Sequence, residues 1–450
     1  MRIGFLGMSG IRAKDERLLA LGLTLPGFVD RSKIVASLPS LGLLFLAGAT
    51  PPGHELVYRE SQCAAEVPDE IFECDLVAVS SLSAQIGEAY EVCTRLRKAG
   101  AAVAIGGLHV STMPIEALQY ADHVIVGEGE NVWPSVIEAV EGKQPGRVWH
   151  AADYGSVEMS RLPQPRYDLL KGRSYNRFTV QTSRGCPWRC DFCASSVMLR
   201  ERYRRRPVEH VLRDIEALIR LFGNPFIEFA DDNTFVDKRW GRELCRALAP
   251  LNIKWFTETD ISVANDVELL RLMKDAGCRQ ILVGLESPAQ SDVDGLELRA
   301  NFKARACSQY RAAIERIQSH GITVNGCFIL GLDSHTPDIF DDVLEFAESA
   351  GLYEVQITLL TAFPGTPLYN RLFAEGRLLD PTDWQSCTLF DVNFRPKLMS
   401  EEELRQGFYR LTEKLYSSEG IRKRRKEFFR QSRCSKGPFG LDVSDLEKAA

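Results

Sequence analysis

Three cysteines at short, unequal spacing are the residues of this chain best suited to chemistry. Cys186, Cys190 and Cys193 are separated by three and then two residues, and Phe192 directly precedes the last of them. Thiolates at such spacings bind one iron–sulfur cluster from a single loop. A four-iron cluster with three thiolate ligands keeps one iron open, as a catalytic zinc site keeps one open position. The stretch therefore predicts a [4Fe-4S] cluster for which the three cysteines are metal ligands and catalytic residues.

Other interpretations of these cysteines fit the sequence less well. A structural zinc site requires a fourth Cys or His at short spacing, whereas the nearest downstream histidine, His210, lies beyond an arginine-rich run. A disulfide requires an oxidising compartment, and twelve cysteines that are mostly scattered singly are more typical of a reducing one. Free cysteines are common in protein cores, but a chance cluster does not explain the spacing.

The residues around the cysteines extend the pattern. Thr182-Ser183-Arg184-Gly185 precedes Cys186, and together with Phe192 the stretch resembles the cluster-binding motif of the radical S-adenosylmethionine (SAM) enzymes. The resemblance implies that the open iron is chelated by the amino and carboxylate groups of SAM. It also implies that one electron, from a donor such as flavodoxin or ferredoxin, cleaves a carbon–sulfur bond of SAM and releases a 5′-deoxyadenosyl radical.

The composition is that of an ordinary globular chain. Its 450 residues are enough for two or three domains, and 45% of them are hydrophobic and 26% charged. The net charge of −6 gives no general electrostatic case for binding nucleic acid. The N-terminus lacks a signal-peptide pattern, and no apolar run reaches the ~20 residues of a membrane span. Together with the scattered cysteines, this predicts a cytoplasmic protein that has no membrane span.

The first 145 residues alternate short apolar runs with helical patterns, which is typical of an α/β domain with a parallel sheet. Each expected strand is an apolar or β-branched run, at residues 2–6, 55–59, 76–80, 102–105 and 123–126. This order predicts a doubly wound, Rossmann-like sheet that binds its ligand at the carboxyl ends of the strands. Residues 146–172 lack periodicity and contain several Gly and Pro, which predicts a linker.

A second alternating series occupies residues 173–367. Its expected strands are residues 178–181, 226–230, 253–258, 280–285, 323–330 and 354–360. Six βα units of this size predict a partial (β/α)6 barrel, whose functional face lies at the C-terminal ends of its strands. The cysteine loop follows the first of these strands, so we expect the cluster at that face. Residues 368–450 are mainly helical and predict a C-terminal cap with a flexible tail from Ser432 onward.

Acidic residues follow three successive barrel strands: Asp231 and Asp232, then Glu258, then Glu286. Because a buried carboxylate without a partner is costly, we expect these acids to face SAM, which offers an ammonium, a sulfonium and ribose hydroxyls. Helix capping is the alternative for the two aspartates, although the resemblance implies a contact to the SAM amino group at this position. Gly326 on the fifth strand is expected to let the adenine lie against the backbone, although glycine in strands also has purely structural uses.

The stretch 200–206 contains five arginines. They have two interpretations that the sequence does not separate: charge compensation for the cluster thiolates and the SAM carboxylate, or a solvated face at the start of a helix. We expect at most one of them to act at the cluster.

Glycines and serines directly after strands mark the N-terminal sheet. Ser81 follows the third expected strand, Gly106-Gly107 the fourth and Gly127-Glu128-Gly129 the fifth. A backbone without Cβ lets a flat macrocycle and its nucleotide tail approach closely. With the Pro39–Ala47 stretch, these residues resemble the cobalamin-binding domains that are fused to radical SAM barrels. The resemblance implies cobalamin contacts at these residues and at His109, which we expect to meet the nucleotide tail or to cap a helix.

One departure concerns the cobalt ligand. Cobalamin mutases and methionine synthases bind through Asp-x-His-x-x-Gly, whereas this chain reads Ser37-Leu38-Pro39-Ser40-Leu41-Gly42 at the equivalent place. No histidine is available there, so we expect cobalamin to bind without a His lower ligand, unless the domain has lost the cofactor. His109 as the ligand is disfavoured because most histidines are structural.

The leading interpretation is a cobalamin-dependent radical SAM enzyme that abstracts a hydrogen from an unactivated carbon of a small organic or lipid-like substrate and methylates that carbon. Cobalamin-assisted radical oxidation or ring rearrangement is the alternative within the same class. A methylthiotransferase would need a second cluster on Cys63, Cys74 and Cys93, which do not converge on the strand ends. A non-catalytic cobalamin or SAM sensor would not need the intact cluster cysteines. The sequence does not identify the substrate.

Overall fold

The computed structural model describes residues 1–8, 13–20, 38–195 and 203–434. Two six-stranded sheets dominate this part of the chain, and every strand pair within them is parallel. None of the helices in the described ranges is both long and apolar enough to cross a membrane.

The first sheet has the strand order β2-β1-β3-β4-β5-β6. Its strands are β1 (Arg2–Met8), β2 (Glu55–Ser61), β3 (Leu76–Ser80), β4 (Ala102–Gly106), β5 (His123–Val126) and β6 (Arg147–His150). The chain adds β2 on one side of β1 and then β3 to β6 on the other side, so the sheet is doubly wound, as expected. β6 lies inside the segment predicted to be a linker. It forms because Trp149 is buried against β5, where its indole N–H donates to His123 at 3.1 Å.

The second sheet is the predicted partial barrel, with strand order β14-β13-β12-β11-β10-β7. The remaining strands are β7 (Phe178–Val180), β8 (Ser183–Arg184), β9 (Arg204–Arg205), β10 (Phe226–Phe229), β11 (Lys254–Glu258), β12 (Cys278–Glu286), β13 (Thr323–Leu330) and β14 (Glu354–Leu359). β8 and β9 form a separate antiparallel pair beside the barrel.

The α-helices connect and follow these strands. They span Glu16–Ala20, Leu41–Ala49, Asp69–Phe72, Ile86–Ala99, Leu108–Thr112, Pro114–Ala117, Trp133–Glu141, Val208–Phe222, Lys238–Leu248, Val267–Asp275, Gln290–Val293, Phe302–Cys307, Tyr310–Ser319, Ile339–Ser349, Pro367–Ala374, Glu401–Tyr416 and Ser418–Cys434. The last helix includes the start of the expected flexible tail, and residues 435–450 lie outside the described residues.

The helix Leu41–Ala49 joins the two sheets. It is apolar on all sides, which is typical of a helix enclosed by other elements, and Gly42 is its one exposed residue. The carbonyl of Leu44 accepts a hydrogen bond from the Arg166 N–H at 3.2 Å, and the Pro39 carbonyl accepts one from Thr179 of β7 at 3.3 Å. These bonds place the carboxyl edge of the first sheet beside the start of the barrel.

Candidate active site

The three cysteines lie in the loop after β8, at the carboxyl ends of the barrel strands, and line a cavity of about 830 Å³. A segment that follows β12 holds this loop through its backbone. The Arg189 N–H donates to the Glu297 carboxylate at 3.0 Å, and the Leu298 N–H donates to the Arg189 carbonyl at 2.9 Å. The Asp191 N–H donates to the Leu296 carbonyl, also at 2.9 Å. The segment after β12 therefore holds the backbone of the loop that carries the three cysteines.

The thiols of Cys186 and Cys190 are neutral in the protein alone. Burial raises the pKa of Cys186 to about 11 and that of Cys190 to about 12. Buried thiols of this kind lose their protons when a metal binds. In the portion of the chain that is described, no group of three Cys, His, Asp or Glu side chains encloses a single metal ion.

Asp232, Glu258 and Glu286 lie in the wall of the same cavity. Glu258 lines the cavity and keeps an exposed surface there. Burial, and secondarily the charges of Glu228 and Asp232, raises its pKa to about 8. Glu286 is buried and forms an ion pair with Lys303. Glu258 therefore offers its carboxylate to a cationic ligand, whereas Glu286 already has a counter-ion.

A second cavity, of about 450 Å³, lies at the carboxyl edge of the first sheet. The turns that follow β4 and β5 contribute Gly106, Gly107, Gly127, Glu128 and Gly129 to its wall. Gly107 has a φ of +121°, and a Cβ there would lie 3.2 Å from the carbonyl oxygen of Ser81, so the turn requires glycine. Most of the remaining wall is apolar and comes from the helix Leu41–Ala49 and the strand ends. Such a cavity suits a large, flat ligand.

The two cavities share the cysteine loop as a wall. Ser195, two residues beyond Cys193, lines both of them. Gln181 and Arg184, which precede the cysteines, line the cavity of the first sheet. The loop is therefore a partition between the barrel cavity and the cavity of the first sheet.

Comparisons with known families agree with this arrangement. Residues 180–347 match the radical SAM superfamily, and residues 29–137 match the B12 binding domain. The chain is a radical SAM enzyme with a B12-binding domain. Residues 366–442 of the enzyme match a domain of unknown function, DUF4070.

Two relatives of the radical SAM enzyme align over most of its length. The bacteriochlorophyllide d C-12(1)-methyltransferase of Chlorobaculum tepidum is 25% identical over 390 residues, covering 85% of this chain and 84% of the relative. The hopanoid C-2 methylase of Rhodopseudomonas palustris is 27% identical over 361 residues, covering 78% of this chain and 68% of the relative. The fold is that of the radical SAM methyltransferase TsrM from Kitasatospora setae, solved with cobalamin and a [4Fe-4S] cluster bound. That structure has a TM-score of 0.65 and 15% identity, over 97% of this chain and all of TsrM.

The cofactors of this radical SAM enzyme are a [4Fe-4S] cluster, SAM and cobalamin. Its own residues fit them. The thiols of the cysteine loop need a metal to lose their protons, and the glycine turns leave room for a corrin beside an apolar wall. Glu258 lines the barrel cavity, where the positive charge of a SAM sulfonium would favour the ionised form of its acid group.

Two residues expected to contact SAM have other partners. Asp231 is buried below the cysteine loop, where its carboxylate accepts hydrogen bonds from the N–H groups of Thr182 and Ser183 at 2.8 and 2.9 Å. The Thr234 hydroxyl donates to it at 2.8 Å. Gly326 lies in the barrel wall, where a Cβ would come within 2.8 Å of Leu352. Asp231 thus orders the loop and Gly326 permits packing, and neither lines the cavity.

Two residues expected to contact cobalamin are also placed elsewhere. Ser81 is buried and bonds the Leu82 carbonyl, and it is the preceding Ser80 that lines the cavity. His109 is fully buried, 3.2 Å from both the Ser83 hydroxyl and the Glu116 carboxylate. Its ring packs edge-on against Trp384 and is not among the residues that line the cavity.

The place of the missing cobalt ligand is partly described. Ser40, Leu41 and Gly42 line the cavity of the first sheet, and Ser37 lies outside the described residues. No histidine of the described ranges contributes to this wall.

The arginine-rich stretch pairs with protein carboxylates. Arg200 and Arg202 lie outside the described residues. The other three form ion pairs of 2.6 to 2.7 Å: Arg204 with Glu128, Arg205 with Asp237 and Arg206 with Asp214. None of these three lines the barrel cavity.

Three residues near the cysteines are not among the site residues that the sequence predicts. Asn233 donates to Asp260 at 2.8 Å and lies 3.8 Å from the Cys186 sulfur. The Trp188 indole donates to the same aspartate at 3.0 Å. Lys303 lies beside Cys190 and raises the local positive charge. Asn233 is adjacent to the two rim aspartates, so its position in the sequence was a usable signal, whereas Lys303 belongs to no motif.

Proposed function

We propose that this enzyme transfers a methyl group to an unactivated carbon of a small organic or lipid-like substrate. When bound, SAM would supply the 5′-deoxyadenosyl radical that abstracts a hydrogen, and cobalamin would supply the methyl group. The observation that carries the proposal is the shared wall: Ser195 lines both cavities, so a substrate in the barrel cavity would lie next to the cobalamin domain. Such proximity is what a transfer between two bound groups requires.

The cavity walls and the relatives support an apolar substrate. Leu282, Ile329 and Leu389 line the barrel cavity beside its polar residues. The two relatives are named for methylation at carbon, one of a bacteriochlorophyllide and the other of a hopanoid. Both names indicate a large carbon skeleton, which supports the lipid-like end of the proposed range.

Within this proposal, each cofactor has assigned residues. Cys186, Cys190 and Cys193 hold the cluster, with Phe192 beside it in the cavity wall. Asp232 and Glu258 face SAM, and Glu286 contributes through Lys303. Cobalamin binds against the glycine turns and Glu128, without a histidine lower ligand. A one-electron donor such as flavodoxin or ferredoxin completes the reaction.

The domain limits are part of the same proposal. We assign cobalamin binding to residues 1–145, extended to His150 because β6 completes the sheet. The rest of 146–172 is the linker, 173–367 the catalytic barrel and 368–450 the cap.

The alternatives within and beyond the class make different predictions. Cobalamin-assisted oxidation or ring rearrangement forms 5′-deoxyadenosine without S-adenosylhomocysteine. A methylthiotransferase needs a second cluster, but Cys74 and Cys93 are buried in the core of the first domain and neither they nor Cys63 line a cavity. A cofactor sensor does not cleave SAM.

The deciding experiment measures both SAM products. The reconstituted enzyme is reduced in the presence of SAM, hydroxocobalamin and a candidate acceptor, either a chlorophyllide or a pentacyclic triterpenoid. Methyl transfer gives 5′-deoxyadenosine and S-adenosylhomocysteine in equal amounts. Formation of 5′-deoxyadenosine alone, with an altered acceptor, would exclude methylation and establish rearrangement or oxidation.

A further inference from the structure

Arg184 makes a buried ion-pair network between the two cavities. Its guanidinium lies 2.8 Å from the Glu128 carboxylate and also pairs with Glu130, while its Nε donates to Gln181 at 2.7 Å. Arg204 donates to both oxygens of Glu128, at 2.7 Å to the oxygen that it shares with Arg184 and at 3.0 Å to the other. The Arg184 side chain is only 7% exposed. Two guanidinium groups thus neutralise two carboxylates at a largely buried site beside the cavity of the first sheet.

The network joins the cobalamin turn to the cluster loop. Glu128 and Glu130 belong to the turn after β5, and both line the cavity of the first sheet. Arg184 is two residues from Cys186, and the intervening Gly185 N–H donates to Asp232 at 3.2 Å. The Arg184 side chain therefore bonds to the wall of the cavity of the first sheet, while the Arg184 backbone continues into the cysteine loop, which is a wall of the barrel cavity.

The backbone of Arg184 is itself held firmly. Asp231 accepts hydrogen bonds from the Thr182 and Ser183 N–H groups, and β8 pairs with β9 directly at Arg184. A displacement of the Glu128 turn would therefore pull on a side chain whose backbone anchor leads directly into the cysteines.

We infer that Arg184 is a positioning residue that couples cobalamin occupancy to the geometry of the cluster loop. The inference rests on the proposed assignment of the two cavities to cobalamin and to the cluster with SAM. A ligand bound against the Glu128 turn would fix the position of that turn. The Arg184 guanidinium, which is bonded to the turn, would then fix the position of the cysteine loop.

The chemistry of the site calls for arginine. A guanidinium is planar and donates to two carboxylates and an amide at once, whereas an ammonium is a point charge on a flexible stem. Arg184→Lys therefore keeps the charge of the network but loses its geometry. It also keeps both carboxylates paired with a cation, so gross misfolding is not expected.

The test compares Arg184→Lys and Glu130→Gln with Arg205→Gln. Arg205 lies beside Arg204 on β9, but its ion pair with Asp237 is outside the interface. Each protein is reconstituted with cluster and SAM, reduced, and examined by electron paramagnetic resonance with and without hydroxocobalamin. We expect cobalamin to change the cluster signal in the wild type and in Arg205→Gln, and to leave it unchanged in Arg184→Lys and Glu130→Gln. Iron and cobalamin contents, together with circular dichroism, verify that all four proteins are folded and loaded.

Two results would overturn the inference. One is a cluster signal in the wild type that does not respond to cobalamin. The other is a cluster signal that responds to cobalamin in loaded Arg184→Lys as strongly as in the wild type. If Arg184→Lys does not fold, the same response in Glu130→Gln would overturn the inference. Under turnover we also expect the ratio of S-adenosylhomocysteine to 5′-deoxyadenosine to fall at least fivefold in Arg184→Lys. A cobalamin response in the wild type without S-adenosylhomocysteine would keep the coupling and exclude the proposed methyl transfer.

Discussion

The ammonium of Lys303 is paired with the carboxylate of Glu286 inside the barrel cavity, and it also donates to the Gly284 carbonyl at 3.1 Å. Both side chains are largely buried, with 13% and 8% exposed. Although burial opposes the ammonium charge, attraction to the Glu286 carboxylate raises the pKa of Lys303. Glu286, which the sequence predicts at the ends of the barrel strands, is therefore already neutralised by Lys303. The pair supplies local charge balance beside the cluster cysteines.

Removing the lysine should be more harmful than removing the pair. Lys303→Met leaves the Glu286 carboxylate buried and uncompensated, which costs about 3–5 kcal/mol for a buried ion pair. We expect this loss in urea unfolding of the cofactor-free protein, and most of it should be recovered in the Lys303→Met/Glu286→Gln double variant. Equal stabilities of the single and double variants would show that the two residues do not interact.

Glu258 should make stability depend on pH. Its folded-state pKa of about 8 lies above the ordinary value of 4.5, so the folded protein holds the proton more tightly than the unfolded chain. The stabilisation is complete below about pH 4.5 and is lost as the pH rises through about 8. We expect Glu258→Gln to gain stability relative to the wild type between about pH 5.5 and 8.5, as measured by urea unfolding without cofactors. A constant difference across this range would contradict the shifted pKa.

The cysteine loop should lose its cluster completely when the three thiols are removed. We expect the Cys186→Ala, Cys190→Ala and Cys193→Ala triple variant to hold neither iron nor sulfide after anaerobic reconstitution. Cys327→Ala is the control, because its thiol lines the same cavity from β13 and is not assigned to the cluster. Because the thiols are protonated at neutral pH, assembly in the wild type should also release protons into a weakly buffered solution. Iron and sulfide at wild-type levels in the triple variant would refute the ligand assignment.

The strands of both sheets are predictable because buried parallel strands are short, continuous apolar runs. β6 is the exception. The run Arg147–His150 is only four residues long with charged or polar ends, and it becomes a strand because tertiary packing buries Trp149. Local sequence cannot reveal such a contact, so the segment has the composition of a linker.

The sequence predicts where the residues of the candidate site lie, but not which other residues they contact. The motif places the cysteines, and the strand ends place the acids. However, Asp231 and Asp232 have identical chemistry, and only the turn after β10 directs one below the loop and the other into the cavity. Glu286 and Lys303 are 17 residues apart and meet through the fold of a connecting segment. Which carboxylate stays free for a ligand is therefore a property of tertiary structure.

The adjacent aspartates should separate stability from ligand binding. In Asp231→Asn the amide oxygen can still accept from the Thr182 and Ser183 N–H groups, but an N–H₂ replaces the oxygen that accepts from the Thr182 and Thr234 hydroxyls. Because these bonds and the charge that strengthens them are lost, we expect a loss of about 1–3 kcal/mol in the free energy of unfolding. Asp232→Asn should cost less than about 1 kcal/mol, because its carboxylate accepts only the longer bond from Gly185 among the described contacts. Under the proposed function it should instead weaken SAM binding, as measured by equilibrium dialysis with the reconstituted enzyme. Equal losses of stability would contradict the different roles.

Leu389 offers a test of strain at the substrate cavity. It lines the barrel cavity with a φ of +73°, a conformation that costs a bulky residue about 1–3 kcal/mol. The loop holds it there, since its carbonyl accepts the Leu359 N–H at 2.7 Å and the Thr388 hydroxyl bonds Asp391 at 2.6 Å. The strain is therefore imposed by the closure of the barrel edge.

Replacing Leu389 should separate the backbone from the side chain. Glycine tolerates the positive φ and alanine does not, so we expect Leu389→Gly to be more stable than Leu389→Ala by about 1 kcal/mol in urea unfolding. Under the proposed function, both variants remove an apolar side chain from the wall of the substrate cavity, so both should form more 5′-deoxyadenosine per methylated product than the wild type. If the side chain only fills space, the ratio of products stays at the wild-type value in both. A glycine variant no more stable than the alanine variant would show that the loop relaxes, and that the positive φ is not imposed by its hydrogen bonds.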